Sequence, residues 1–243
     1  MIQISAVFNV HNEDDLVDKS YISLVKCIEH ATSNHIQTEL VIIADNPSEG
    51  IIEYFEHKKE KPYEFHILQC RDLSIARNSG AEKSKGKYIA FFDGDDLWSS
   101  NWLTESYALA EKSQQDVICH PEASLYFDQM QRAFFHPDTE DEHFSLWDLA
   151  ENNYWTSQVF LKRQVFLDNP QYPLNIENGF GYEDWQWHCN TLAKNIQHKT
   201  VPNTFHFIRM KKTGLTAILK KNNCILPPTD LFRLNIHTKD LKV

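Results

Sequence analysis

The sequence predicts an α/β protein whose first half is a doubly wound, mostly parallel sheet. The first observation is that short, unbroken apolar runs alternate with segments of helical spacing. Strands are predicted at residues 2–8, 40–44, 65–68 and 88–92. Helices are predicted at residues 16–30, 51–55 and 74–85. The second observation is that polar residues follow each predicted strand. Apolar strands that alternate with helices indicate a parallel sheet covered on both faces, with a binding crevice at the carboxyl ends of its strands.

The bulk composition limits the class of partner. The chain has 243 residues, of which 42% are hydrophobic, and a formal net charge of -10. This length and hydrophobic content suit one compact α/β domain. A net negative surface does not attract a phosphate backbone, so nucleic acid is not an expected partner. An acidic protein that binds an anionic nucleotide must supply positive charge locally, and a metal ion held by carboxylates is one way to do so.

The cysteines and the apolar runs bear on location. The 5 cysteines are odd in number and form no C-x-x-C pair, which is typical of buried thiols in a reducing compartment. The first residues do not combine a basic segment with a long apolar one, and no apolar run approaches the roughly 20 residues of a membrane helix. These features predict a cytoplasmic protein.

Charge is concentrated unevenly along the chain. Residues 206–243 carry eight Lys or Arg against two Asp, a charge of +6, so the preceding residues carry -16. This basic segment is either a solvated helix face or a functional patch. As a patch, it would contact the phosphate groups of a ligand or an anionic membrane surface.

Three carboxylates follow the last predicted strand, in the run D-G-D-D at residues 93–96. A buried strand delivers them into one tight turn, where their like charges repel. Oxygen-rich sites of this kind suit Mg²⁺ or Mn²⁺, which complete their coordination with phosphate oxygens and water. The alternative is an acidic turn that caps the helix beginning near Ser99 or Asn101. The chain contains neither G-x-G-x-x-G nor G-x-x-x-x-G-K-[ST], so a glycine loop is not expected to hold phosphates.

Several segments match the pattern of a known family. The run K-G-K-Y-I-A-F-F-D-G-D-D at residues 85–96 is similar to the pattern that ends the family's nucleotide-binding half. Three other segments resemble family segments and occur in family order: V-H-N-E at 10–13, L-V-I-I-A-D at 40–45 and S-I-A-R-N-S-G at 74–80. In the second half, G-F-G-Y-E-D-W at 179–185 resembles the family's G-x-x-E-D element. By these segments the chain resembles glycosyltransferase family 2.

The resemblance implies a fold and an activity. The fold is GT-A, in which a Rossmann-like nucleotide-binding half with a mixed, mostly parallel central sheet is followed by an acceptor-binding half. One catalytic domain would cover residues 1–243, with a nucleotide-sugar-binding half, an acceptor-binding half and the basic C-terminal segment at 1–105, 106–205 and 206–243. The implied activity is transfer of a sugar, with inversion, from a nucleotide-sugar donor to a saccharide or lipid-linked acceptor. A UDP-linked donor is the commonest case.

The resemblance also implies a cofactor and a setting. The cofactor is a divalent metal, Mn²⁺ or Mg²⁺. The setting is bacterial surface-polysaccharide or lipid-linked oligosaccharide synthesis. In that setting, the basic segment would make peripheral contact with the inner face of the membrane.

The same resemblance implies roles for individual residues. The nucleotide would be bound by Val10, Glu13, Asp45, Arg77 and Asp93. The metal would be bound by Asp95 and Asp93, with His206 completing its shell. The segment at 206–216 is similar to one that folds over the donor in many members of the family. In that segment, the leaving diphosphate would be neutralised by Arg209 or Lys212.

The acidic pair Glu183-Asp184 opens a predicted helix in the second half. Displacement at an anomeric carbon needs a base opposite the leaving diphosphate, because the acceptor hydroxyl loses its proton as it attacks. The resemblance gives this role to Asp184 and leaves Glu183 to orient the loop or the acceptor. The alternative is that both acids only stabilise the helix through its dipole. Trp155 and Trp185 offer flat rings that stack on acceptor sugars, although most tryptophans are core residues.

Two other classes remain open. A sugar nucleotidyltransferase also binds a nucleotide and Mg²⁺ on an α/β sheet, but the sequence lacks an early glycine-rich phosphate loop. The other class is a non-catalytic nucleotide-sugar-binding module on the same fold. The presence of both the acidic turn and Glu183-Asp184 argues against it.

Overall fold

Strands and helices alternate along the first half of the chain, as predicted. The computed structural model describes residues 1–13, 15–58, 63–142 and 144–232. The elements of the first half are β1 (Ile4–Val10), α1 (Leu16–Ser33), β2 (Thr38–Asp45), α2 (Glu49–Glu56), β3 (Tyr63–Leu68), α3 (Leu73–Lys83) and β4 (Tyr88–Asp93). The first strand lies two residues later than predicted, so Val10 ends the strand instead of beginning the loop.

Among its described residues, the second half contains two long strands and three short ones. Its elements are β5 (Leu97–Trp98), α4 (Trp102–Lys112), β6 (Val117–Asp128), β7 (Arg132–Phe135), β8 (Phe160–Lys162), α5 (Arg163–Leu167), α6 (Glu183–Ala193), β9 (Gln197–Met210) and α7 (Leu215–Lys221). Short 3-10 helices occur at Asp148–Ala150, Ile176–Asn178 and Asp230–Phe232. Strand β9 runs across the expected boundary at residue 206, and residues 233–243 of the basic segment lie outside the described residues.

One mixed sheet joins the two halves. In the described part of the chain it has nine strands in the order β3-β2-β1-β4-β8-β6-β9-β5, and β7 pairs with β6. Strands β3, β2, β1 and β4 are mutually parallel, and the long strands β6 and β9 also run parallel. Strand β8 is antiparallel to both of its neighbours. The sheet is therefore mixed, with most paired residues in parallel ladders.

Strand β1 lies between β2 and β4, and both of its faces are covered. All seven of its residues are buried, and most are apolar. Helix α3 packs closely on this strand because of Gly80, where an added Cβ would lie 2.4 Å from Cγ1 of Val7. The side chain of Asp72 begins the helix by accepting a hydrogen bond from the backbone N–H of Ile75 at 3.1 Å. The close packing brings the second turn of α3 against the carboxyl ends of the strands.

The helices pack against the sheet through their buried faces. The longest, α1, has 18 residues and buries one face that includes Val17, Tyr21 and Leu24. Among the described residues, no helix combines the length and the apolar character needed to cross a bilayer.

Candidate active site

The carboxyl ends of β1, β2 and β4 converge at one edge of the sheet. The parallel register pairs Val10 with Ala44, and Asn9 with Asp93. The predicted nucleotide-binding residues at the ends of these strands are therefore neighbours. Helix α6 approaches the same edge from the second half, and its first residues are Glu183 and Asp184.

Two of the three carboxylates in the acidic turn point into the protein. Asp93 accepts hydrogen bonds from Arg77 Nη2 at 3.1 Å and from Gln158 Nε2 at 2.7 Å. Asp96 lies 2.8 Å from His206 Nε2 and accepts the backbone N–H of Arg209 at 2.9 Å. Burial raises the pKa of both carboxyl groups, against the lowering effect of these partners. Asp93 and Asp96 therefore tie the turn to the rest of the fold.

The third carboxylate, Asp95, has a different partner. Its Oδ2 atom is 2.5 Å from the ammonium group of Lys211, a residue that directly follows β9. Glu13 lies nearby, because Gly94 leaves room for it: a Cβ on Gly94 would be 2.9 Å from the Glu13 carboxyl carbon. Burial raises the pKa of Glu13, and the charge of Asp95 adds to that increase. The site thus combines two acidic groups with one lysine cation.

Two cations from the late segment, Arg209 and Lys211, lie at the acidic turn. Arg209 donates from Nε to the carbonyl oxygen of Asp95 at 3.2 Å and from Nη1 to Asp128 at 3.4 Å. Lys212 is exposed, whereas Lys211 forms the ion pair with Asp95. Lys211, which the sequence analysis did not single out, is therefore the lysine of this segment that contacts the acidic turn. Strand alternation was the available signal, because Arg209 and Lys211 are two residues apart and fall on one face.

Arg77 links the acidic turn to the helix that carries the acidic pair. It lies in the second turn of α3, not at the helix start, and is only 1% exposed. Its guanidinium contacts Asp93 through Nη2 and Glu183 Oε1 through Nη1, the latter at 3.3 Å. Burial lowers the pKa of this group, but the charges of Asp93 and Glu183 outweigh it and raise the pKa. Arg77 is therefore an internal bridge between two carboxylates.

Within the described part of the chain, Asp184 forms no ion pair, whereas its neighbour Glu183 pairs with Arg77. Asn153 Nδ2 donates to Asp184 Oδ2 at 3.2 Å, and the backbone N–H of Trp185 donates to Oδ1 at 2.7 Å. Burial and then the charge of Glu183 raise the pKa of Asp184 to about 7. A carboxyl group whose pKa is near neutral pH is suited to accept a proton.

Asp45 orders a loop through its carboxylate. Oδ1 accepts the backbone N–H groups of Cys70 and Arg71 at 2.9 and 3.1 Å, and Oδ2 accepts that of Asp72 at 3.0 Å. Burial favours a higher pKa, but these three hydrogen bonds outweigh it and lower the pKa. Both carboxylate oxygens are therefore already engaged in shaping the segment before α3.

The two tryptophans predicted to meet the acceptor occupy different surroundings. Trp155 is 2% exposed, stacks on His198 with ring centroids 4.3 Å apart, and donates from its indole to the carbonyl of Pro137. The structure therefore corrects the prediction for Trp155, whose ring has no free face for a sugar. Trp185 is half-buried and, with Tyr182, lines a cavity of about 660 Å³ beside the start of α6.

A preformed metal cage is not part of the described structure. The residues that the structure describes contain no group of three or more His, Cys, Asp or Glu side chains that could hold a metal ion. His206 is buried, with Nε2 directed at Asp96, and it stacks on Trp98 with centroids 6.0 Å apart. The position of His206 therefore brings it to Asp96 instead of to Asp95.

Three known proteins with similar sequences are named as glycosyltransferases. The chain is 24% identical over 181 residues to a cholesterol galactosyltransferase of Borreliella burgdorferi, covering 69% of this chain and 42% of that protein. It is 27% identical over 121 residues to a poly(ribitol-phosphate) beta-glucosyltransferase of Bacillus spizizenii, covering 48% and 18%. It is 24% identical over 103 residues to TuaG, a putative teichuronic acid biosynthesis glycosyltransferase of Bacillus subtilis, covering 41% and 38%. The chain thus spans less than half the length of these relatives.

Among solved structures, the fold is similar to S. aureus TarS 1-349 in complex with UDP-GlcNAc. The TM-score is 0.65 at 12% sequence identity, and the match covers 88% of this chain and 60% of that one. This similarity confirms the predicted GT-A fold. The family model described as "Glycosyl transferase family 2" matches residues 5–183. The chain accordingly belongs to glycosyl transferase family 2.

Proposed function

We propose that this chain transfers a sugar, with inversion, from a UDP-linked donor to a hydroxyl group of a saccharide or lipid-linked acceptor. The observation that carries the proposal is Asp184, a carboxyl group with a pKa of about 7 at the start of α6. Arg77 joins this helix, through Glu183, to the acidic turn at the nucleotide-binding edge of the sheet. These two ion pairs would connect the base to the anion-binding region of the site.

The reaction needs one displacement. The acceptor oxygen forms a bond to the anomeric carbon, its proton passes to Asp184, and the bond between that carbon and the diphosphate oxygen breaks. The leaving group is UDP. Attack opposite the leaving group inverts the anomeric configuration. Lys211 and Arg209, both beside Asp95, would balance the charge that develops on the diphosphate.

The nucleotide would lie at the ends of β1 and β2. Val10 and Glu13 border the acidic turn at Gly94, where they would line the base and ribose pocket. Asp45 would act by holding the backbone of residues 70–72, and Asp93 and Arg77 by holding the turn. A UDP-linked donor is proposed because the structurally similar TarS binds UDP-GlcNAc. The sugar itself is left open.

A divalent metal, Mn²⁺ or Mg²⁺, would be held mainly by Asp95. The donor chemistry fits, because Asp95 and Glu13 supply hard oxygen ligands, and such ions commonly use one or two carboxylates together with substrate phosphates. Burial, with a smaller contribution from the charge of Asp95, raises the pKa of Glu13, and a cation here would favour the ionised form of both acids. When bound, the metal would supply positive charge to the diphosphate. His206 would support this region through Asp96.

Proposals about the cellular setting rest on composition and relatives. Two of the similar proteins act, by name, in teichuronic acid biosynthesis and on poly(ribitol-phosphate), so a bacterial surface polysaccharide is the proposed product class. A cytoplasmic location is supported by the five cysteines, none of which is paired. Peripheral membrane contact is proposed for the basic segment, in which Lys220 and Lys221 are exposed at the end of α7.

The test is to identify the product released from a donor. The purified chain is incubated with Mn²⁺, a panel of UDP-sugars and saccharide acceptors, and the nucleotide product is measured. Acceptor-dependent release of UDP, absent in Asp184→Asn, is expected. Release of pyrophosphate from UTP and a sugar phosphate would indicate a nucleotidyltransferase. Tight UDP-sugar binding without turnover of any acceptor would favour a non-catalytic module.

A further inference from the structure

The carboxylate of Asp184 is held by a side chain from a distant part of the chain. Asn153 lies in the segment between β7 and β8, 31 residues earlier, and donates from Nδ2 to Asp184 Oδ2 at 3.2 Å. The other carboxylate oxygen accepts the backbone N–H of Trp185. The orientation of the proposed base therefore depends on Asn153.

The opposite end of the Asn153 amide is also fixed. Its Oδ1 atom lies 3.2 Å from Nδ1 of His188 and accepts the backbone N–H of Trp155 at 3.4 Å. A carbonyl oxygen only accepts, so a hydrogen bond with His188 requires a proton on Nδ1 of that ring. His188 follows Asp184 by four residues on α6, so both side chains face the same side of the helix.

The surroundings keep the His188 ring neutral. The side chain is fully buried, and burial together with the nearby His198 holds its pKa well below the usual range. Its Nε2 atom has no hydrogen-bond partner among the described residues. A neutral ring with its proton on Nδ1 donates that proton to the carbonyl oxygen of Asn153. The segment that carries Asn153 is held in place by the buried Trp155, whose indole N–H donates to the carbonyl oxygen of Pro137.

We propose that Asn153 is a positioning residue for Asp184, and that the neutral Nδ1–H form of His188 sets the Asn153 amide so that its NH₂ group faces the carboxylate. The inference rests on the proposed function, in which Asp184 is the base. With the amide reversed, a carbonyl oxygen would face the carboxylate and repel it. The Nδ1–H of His188 and the backbone N–H of Trp155, which can only donate, together exclude that orientation.

A donor hydrogen bond favours the ionised form of Asp184 and so opposes the effect of burial. Two other charges act on the same carboxylate: Glu183 raises its pKa and Arg77 lowers it. Tyr126, Cys189 and His188 also lie near it. Burial raises the pKa of Tyr126 and of Cys189, and lowers that of His188, so all three are uncharged near pH 7. Removing the Asn153 donor should therefore raise the pKa of Asp184.

The test measures the Asp184 pKa directly, without an activity assay. Aspartate carboxyl carbons are labelled with ¹³C and titrated by NMR, and the Asp184 signal is assigned by its loss in Asp184→Asn. Asn153→Leu should raise the midpoint by about one pH unit, since a hydrogen bond to a charged group is lost. The exposed neighbour supplies a matched control, Asn152→Leu, which should leave the midpoint unchanged. An unchanged midpoint in a folded Asn153→Leu protein overturns the inference.

A second measurement needs no variant. In ¹⁵N-labelled wild-type protein, the His188 ring should be neutral at pH 7 with the proton on Nδ1. A charged ring, or a proton on Nε2, contradicts the proposed arrangement even if Asn153→Leu fails to fold.

Kinetics separate this inference from the proposed function. At pH 7, Asn153→Leu should lower kcat about fivefold to tenfold with the donor KM unchanged, because a smaller fraction of the base is ionised. An unchanged transfer rate in Asp184→Asn would overturn the proposed function alone. An unchanged Asp184 midpoint in Asn153→Leu would overturn the positioning role alone.

Discussion

Two carboxylates in this protein, Asp95 and Asp184, each belong to a short acidic run and have different partners. Asp95 pairs with the cation of Lys211, whereas Asp184 is held by the neutral amide of Asn153. A carboxylate paired with a cation is suited to an electrostatic role. A buried carboxyl group held by an amide, with another acid adjacent, has a pKa near 7 and can exchange a proton. The partner, and not the residue type, is thus the basis of the proposed division of roles, with Asp95 in binding and Asp184 as the base.

The sharpest test of this division is to remove the base while keeping its shape. Asp184→Asn cannot accept a proton, so kcat should fall by about 10² to 10⁴ with donor affinity nearly unchanged. The measurement is the transfer rate at saturating donor, together with the donor Kd. Glu183→Gln is the adjacent comparison. If Glu183→Gln loses activity while Asp184→Asn keeps it, the base is Glu183.

The bridge between the two carboxylate regions can be broken at Arg77. Arg77→Met would leave Asp93 and Glu183 buried without their cation, and breaking a buried ion pair costs about 3–5 kcal/mol in the free energy of unfolding. Urea denaturation measures the loss. The exposed Arg71 gives the control Arg71→Met, expected to change stability by no more than about 0.5 kcal/mol. Equal stability of the two variants would contradict the bridging role.

The pH dependence of the rate follows from the raised pKa of Asp184. Only the ionised form accepts a proton, so kcat should rise with pH, reach half its plateau near pH 7, and fall about tenfold for each unit below it. The rate is measured at saturating donor from acid to alkaline pH. The residual rate of Asp184→Asn should lack this rise. A wild-type rate that decreases as pH rises through 7 would exclude a carboxylate base.

The binding side of the comparison is tested at Asp95. Asp95→Asn removes a charged ligand, so Mn²⁺-dependent affinity for UDP should fall about tenfold to a hundredfold. Calorimetry with and without Mn²⁺ measures this change. The matched control is Asp128→Asn. Asp128 contacts Arg209 but does not belong to the acidic turn. Unchanged metal-dependent affinity in Asp95→Asn would remove the acidic turn from the metal site.

The smallest expected effect is a difference in affinity for UDP between variants of two adjacent lysines. Lys211→Ala removes the cation beside Asp95, so affinity for UDP should fall about tenfold, whereas Lys212→Ala should change it less than about twofold. Both affinities are measured by titration under the same conditions. The reverse order would mean that Lys212 moves toward the donor when it binds.

The local pattern of the sequence was sufficient for the first half of the fold. Unbroken apolar runs and helical spacing predicted the alternation of strands and helices, because a strand covered on both faces must be apolar throughout. The polar run that follows such a strand must then lie at the sheet edge, which predicted where Asp93 and Asp95 would be. The glycine-bearing segment before Glu183 and Asp184 similarly indicated the start of α6.

Contacts between distant residues were decided by the tertiary structure. Arg77 binds Asp93 and Glu183, which are 16 and 106 residues away. Its burial could not be predicted, because an arginine in a polar helix resembles a surface residue until both partners are known. Trp155 was assigned to the acceptor surface for the same reason, since its ring type fits a sugar or a core equally well.

The sequence by itself therefore determined the family, the order of the elements and the acidic groups at the sheet edge. These depend on residue type and spacing within one strand, turn or helix. The tertiary structure alone decided which carboxylate meets a cation and which meets an amide. That choice sets the pKa of Asp184, because desolvation and neighbouring charge depend on the positions of atoms from Asn153, Glu183 and Arg77 in space.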